Sequence, residues 1–124
     1  MVTGPIYQLK AEFFKTLGHP ARIRVLELLR GGERSVGELI PEVGLEPSHL
    51  SQQLGVLRRA GVVQARKEGS TVLYSVADPL VLELLEVAKQ ILTTSLTETH
   101  ELLAELKSID FAESPPPRKT RSGR

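Results

Sequence analysis

Ser48, His49, Ser51 and Gln52 carry hydrogen-bonding groups without net charge, and they fall on one face of a helix that Arg59 closes with a cation. At about 100° per residue, Leu54 and Leu57 lie within about 40° of Leu50 and define an apolar face. The polar residues and Gly55 fall on the opposite side, with His49 and Val56 at its edge and Gln53 flanking the apolar face. Soluble helices ordinarily spend such a face on Lys and Glu. The base edges in the DNA major groove offer the donors and acceptors that Ser, His and Gln can match, while phosphates select Arg and Lys. Gly55 costs a helix about 1 kcal/mol relative to Ala. Close approach of the backbone to a groove is one reason to accept that cost, and drift is another.

Charge along the chain is uneven, although the formal total is only +1. From Pro47 to Lys67 there are four cations, Arg58, Arg59, Arg66 and Lys67, and no acid. From Asp78 to Glu113 eight acids face two lysines, so the first segment suits a polyanion and the second does not.

The elements that hold this face can be read from period and punctuation. Pro5 opens an amphipathic helix with Ile6, Leu9, Phe13 and Leu17 at helical spacing, and Gly18 ends it. Pro20 opens a second, expected through Arg30, with Ile23, Leu26 and Leu29 inward; His19 before it is expected to cap or pack at the junction, a ligand role being the alternative. Ser35 and Glu38 make a capping-box signature for a short helix from about Val36 to Val43. Gly44 breaks it, and Glu46-Pro47 starts the polar-faced helix, which ends at Ala60-Gly61. Two helices joined by a tight glycine turn form a helix-turn-helix. Two β-rich runs around Glu68-Gly69-Ser70 then predict a hairpin, with Val72, Tyr74 and Val76 alternating with Thr71, Leu73 and Ser75. Arg66, Lys67 and Ser70 flank its tip, where they could follow the DNA backbone; Glu68 at the same tip opposes that use.

The fold class is therefore mainly α with a small β-hairpin, a winged helix-turn-helix. One domain is expected over 1–109, followed by a disordered basic, proline-rich tail over 110–124. Asp78-Pro79 starts a last helix that is apolar on nearly every side from Leu80 to Leu92. Thr93-Thr94-Ser95 leaves open whether it continues as one bent helix or two. A chain this small has little core to wrap such a helix, so cover by a second copy is expected. The interface is assigned to Ile6, Leu9 and Phe13 of the first helix and Leu84, Val87, Ala88 and Ile91 of the last.

Without cysteine, disulfides, thiolate metal sites and cysteine redox switches are excluded. No phosphate loop, HExxH pair or convincing Ser/His/Asp arrangement occurs, and the three histidines are scattered, so no enzyme activity is expected. The N-terminus lacks an uninterrupted apolar stretch, which predicts a cytoplasmic protein without a membrane partner.

FFKTLGHPARIRVLELL, SVGEL, HLSQQLGVLRRAGVV and ARKEGSTVLYSV, spread over residues 9 to 92, resemble the opening helices, first reading-head helix, recognition helix and wing of the ArsR/SmtB family of winged-helix bacterial repressors. The resemblance implies a homodimer, built from the first and last helices, that binds an inverted-repeat operator in double-stranded DNA and represses transcription. It places base reading on Ser48, His49, Ser51 and Gln52, with Arg59 nearby; the residues themselves assign backbone or wing contacts to Arg59, Arg66, Lys67 and Ser70. The family often has a basic residue where this chain has Gly55. Many relatives respond to metals, but the thiolate site is absent here; a last-helix site using His100 with Glu98 and Glu101 is the alternative within regulators. From another class, a protein-interaction module is the alternative. No cofactor is expected, and the sequence specifies no inducer.

Overall fold

A computed structural model of the chain describes residues 4–113, with side chains described through residue 108. The chain forms two compact units, one through Glu86 and one from Val87 onward.

In the first unit, helix α1 spans Pro5–Leu17 and α2 spans Pro20–Leu28. A short strand β1, Arg34–Ser35, leads directly into α3, Val36–Val43, and α4 covers Pro47–Arg59. Strands β2, Val63–Glu68, and β3, Thr71–Val76, make the hairpin, and α5 begins at Leu80. Proline stands in the first turn of α1, α2 and α4, where its missing N–H would have had no helical partner anyway. His19 caps α2, its Nδ1 accepting from the Ala21 N–H at 3.1 Å, and Asp78 Oδ1 accepts from the Leu80 N–H at 3.0 Å where α5 starts. The α-helix expected through Arg30 ends instead at Leu28 and tightens into a 3₁₀ turn, Leu29–Gly31. Glycines 31 and 32 supply no propensity to extend it, and Gly32 turns the chain at φ 125°.

Val25, Leu26, Leu39, Leu50, Leu54 and Leu57 are fully buried and join α2, α3 and α4 into one core. Each leucine removed from water contributes roughly 2–3 kcal/mol, which locks α4 by its apolar face and leaves the other free. Val62 and Val63 fasten the start of the hairpin to the same core, and Val81 and Leu85 dock the first turns of α5.

The sheet has the antiparallel order β1-β3-β2. Its first strand is a two-residue addition that the hairpin pattern does not predict. Val63↔Val76 through Glu68↔Thr71 fixes the hairpin register, and Gly69 at φ 63° allows the two-residue turn. The alternation read in β3 is not expressed as inside and outside: every position from Val72 to Val76 is half-buried. As the central strand, β3 is shielded on both edges.

Helix α5 runs without interruption as Leu80–Glu113, so Thr93-Thr94-Ser95 does not break it. Its penalty of a few tenths of a kcal/mol per residue is set against flanking Leu and Glu, which are good helix formers. Residues 110–113, expected in the tail, continue α5, while residues 114–124 lie outside the described residues. In the second unit Val87, Ile91, Leu92, Leu96, Leu102, Leu103 and Leu106 are all exposed. Among the described residues no helix is long and apolar enough to cross a membrane.

Candidate nucleic-acid interface

The helix-turn-helix starts at Ser35. Its Oγ accepts from the Glu38 N–H at 3.2 Å, while Glu38 Oε1 accepts from the Ser35 N–H at 2.9 Å, so two otherwise orphaned donors at the start of α3 are satisfied reciprocally. Gly44 in the left-handed conformation ends α3 and turns the chain into α4. Glu46 holds the N-cap position of α4 but makes no side-chain cap bond.

With Leu50, Leu54 and Leu57 at 0% exposure, α4 turns Ser48, His49, Ser51 and Gln52 to solvent together, with Arg58 and Arg59 at its C-terminal end. None of the four uncharged side chains makes a hydrogen bond to the rest of the described structure, so their donors and acceptors are available to a ligand. Gln53, one step round the helix, is different. Its Oε1 accepts from Arg22 Nε at 2.8 Å, and Arg22 Nη1 donates to the Thr16 carbonyl at 3.1 Å. One half-buried guanidinium thus ties the last turn of α1 and the body of α2 to α4. An open polar face and a face that locks lie side by side on the same helix.

Gly55 has an explanation within the chain. A Cβ there would sit 3.1 Å from Nη1 of Arg59, whose side chain folds back over the glycine. The missing side chain makes room for a cation one turn further on.

At the wing, Lys67 and Ser70 are exposed near the Gly69 turn. Arg66 is not an open cation. Its Nε donates to Glu33 Oε2 at 2.6 Å and its Nη2 to Glu33 Oε1 at 2.8 Å, with Glu68 a further acceptor at 3.5 Å. This forked bond holds the Glu33 carboxyl below its ordinary range and raises the Arg66 guanidinium above its own. Glu33 carries no motif of its own, and its partner lies 33 residues away, which is why the sequence pattern shows only Glu68 near Arg66.

Of the residues assigned to a dimer interface, Ile6 and Leu9 are exposed on α1, Phe13 and Leu84 are half-buried in the first unit, and Val87, Ala88 and Ile91 are exposed in the second. His100, Glu98 and Glu101 are exposed on α5, and among the described residues of one chain no three His, Asp or Glu side chains come together as a metal site.

Comparison with known proteins identifies this arrangement. Residues 19–65, from the α2 cap into β2, match the family described as bacterial regulatory protein, arsR family. Over 109 residues the chain is 58% identical to the uncharacterized HTH-type transcriptional regulator Rv0081 of Mycobacterium tuberculosis, covering 87% of this chain and 96% of that protein. The chain belongs to the ArsR family. Its architecture is that of a DNA-binding transcriptional regulator, and the crystal structure of M. tuberculosis Rv0081 superposes with a TM-score of 0.73 at 61% identity, over 78% of this chain and 98% of that one. Another relative, the biofilm growth-associated repressor of Xylella fastidiosa, is 38% identical over 68% of this chain and 74% of its own length. The solution structure of a homodimeric winged helix-turn-helix DNA-binding domain from Mycobacterium bovis matches with a TM-score of 0.68 at 28% identity, over 75% of this chain and 86% of that one.

Proposed function

We propose that this ArsR-family regulator represses transcription as a homodimer, each copy placing α4 in the major groove of one half of an inverted repeat. Ser48, Ser51 and Gln52 read base edges with His49 assisting, and Arg59, Lys67 and Ser70 meet the backbone. The observation that carries the reading is the uncharged, unengaged face of α4, held outward by three fully buried leucines and ending in cations. The second copy covers the apolar side chains exposed on α1 and, in the other unit, those at Val87, Ala88 and Ile91. The named homodimer and repressor among the relatives support the same assembly and outcome.

The test is selection of bound fragments from genomic DNA by the purified protein, followed by titration of the recovered sequence at several salt concentrations. The expected result is an inverted repeat with half-site centres one helical turn, about 34–36 Å, or a multiple of it apart. Gln52→Ala then relaxes preference at one position per half-site by about 1–3 kcal/mol, whereas Lys67→Ala weakens all sequences together and lowers the salt slope by about one. Uniform loss in both variants overturns the division into readers and anchors. A folded dimer that enriches nothing and binds without salt dependence overturns the DNA reading in favour of a protein-docking face.

A further inference from the structure

We propose that Arg66 is a positioning residue of the wing: Arg66 and Glu33 clamp the hairpin to the start of the reading head, leaving Lys67 as the wing cation that meets phosphate. The proposal rests on the DNA reading above for its consequence and on the geometry of the free protein for its substance.

Three observations converge on it. Both oxygens of the Glu33 carboxylate are used, at 2.6 and 2.8 Å, which takes the Nε–Nη2 edge of the guanidinium that a phosphate would otherwise occupy. The pair also spans the sheet. Arg66 stands opposite Leu73, and Leu73 opposite Ser35, so Arg66 and Ser35 share a face, and Glu33, two residues before Ser35, reaches that same face from the far edge. Finally, β1 is only two residues long, and Ser35 is at once its last residue and the cap of α3. Tying Glu33 to β2 therefore fixes the wing relative to the first helix of the helix-turn-helix, where the backbone ladder alone is weakest.

Charge arithmetic points the same way. On the face that carries the pair, Arg66 stands against both Glu33 and Glu68, while Lys67 and Arg34 lie on the other face. An unpaired Glu33 beside the wing would repel phosphate, and the clamp cancels that repulsion without offering a cation in its place.

The experiment uses the full chain and compares Arg66→Gln, Glu33→Gln and the charge swap Glu33→Arg/Arg66→Glu, which keeps net charge and the 33–66 pair, gives up the longer contact to Glu68 and moves the cation off β2. Amide hydrogen exchange of β2 and β3 is measured without DNA, and binding to a random-sequence duplex is titrated against salt. With a clamp, each single variant speeds exchange in the hairpin by about threefold and weakens binding, and the swap returns both toward wild type with an unaltered salt slope. Three results overturn it. The first is single variants that leave hairpin exchange unchanged; the second is Glu33→Gln binding more tightly with a steeper slope, as a released anchor would; the third is a swap that restores exchange while its slope falls by about one, which makes Arg66 itself a phosphate contact. If wild type binds no duplex at all, the DNA reading fails, and the exchange measurement still decides whether the clamp exists.

Discussion

Gly55→Ala is expected to stabilise the protein even though the glycine lies in the middle of α4. Glycine in a helix interior costs about 0.8–1.0 kcal/mol relative to alanine, because its backbone loses more freedom on folding. Against that gain stands one crowded approach, 3.1 Å between the new Cβ and Arg59 Nη1, with Cζ and Nη2 at an ordinary 3.8 Å. The crowded atom is the far end of an exposed, flexible side chain that no hydrogen bond or ion pair holds in place among the described residues, so it swings aside at small cost. The net gain is about 0.5–1 kcal/mol, a rise in Tm of roughly 3–5 °C for a chain of this size. Urea and thermal unfolding, followed by circular dichroism, measure it, with protein concentration fixed because dimerisation shifts apparent stability by mass action. Binding to duplex DNA should stay within about twofold of wild type. A loss of stability refutes the reasoning, since it means that Arg59 is held over Gly55 by more than convenience. A gain in stability with a tenfold loss of DNA affinity refutes it differently: the glycine would then serve the groove rather than Arg59.

Leu54→Ala, at a fully buried core position of α4, should cost about 2–5 kcal/mol in urea unfolding, whereas exposed Ser51→Ala one turn away should cost little. Gln53→Leu removes the acceptor for a half-buried guanidinium and should cost about 1–3 kcal/mol, with Gln53→Glu recovering most of it; equal losses in both variants would exclude the Arg22 bond as the cause. Acid should remove the contribution of Glu33. Its carboxyl is depressed in the folded state, chiefly by the Arg66 hydrogen bond, so the stabilisation is present above the ordinary value of 4.5 and is lost as pH falls through the lowered folded value. The stability difference between wild type and Glu33→Gln should therefore be constant near neutral pH and shrink below pH 4.5; a difference that persists unchanged into strong acid assigns it to packing instead.

Local signals and long-range pairings differ in how plainly the sequence carries them. Ser35 and Glu38 announce the start of α3 because the capping box closes within four residues, and the Leu50, Leu54 and Leu57 stripe orients α4 because helical period needs no knowledge of the partner. The hairpin is visible for the same reason, its turn being set by Gly69. β1 is not, since Arg34 and Ser35 become a strand only by meeting Tyr74 and Leu73 across nearly forty residues. The two polar ties that shape the interface, Arg22 to Gln53 and Arg66 to Glu33, likewise join positions 31 and 33 residues apart. Their effect is to sort residues that look alike in the sequence: Gln52 is open where Gln53 is engaged, and Lys67 is open where Arg66 is paired. The uninterrupted course of α5 through Thr93-Thr94-Ser95 reflects the strength of flanking helix formers over three individually weak residues.

The separation of Gln53 from its neighbours has a consequence for re-engineering. On the proposed base-reading role, positions 48, 49, 51 and 52 form an alphabet that can be randomised for new target sequences without disturbing the scaffold, because none of their side chains is structurally employed. Position 53 is outside that alphabet. A recognition helix transplanted from a relative must bring a side chain there that can accept from Arg22, or the graft will carry the right letters on a helix no longer fastened to the one that begins the chain.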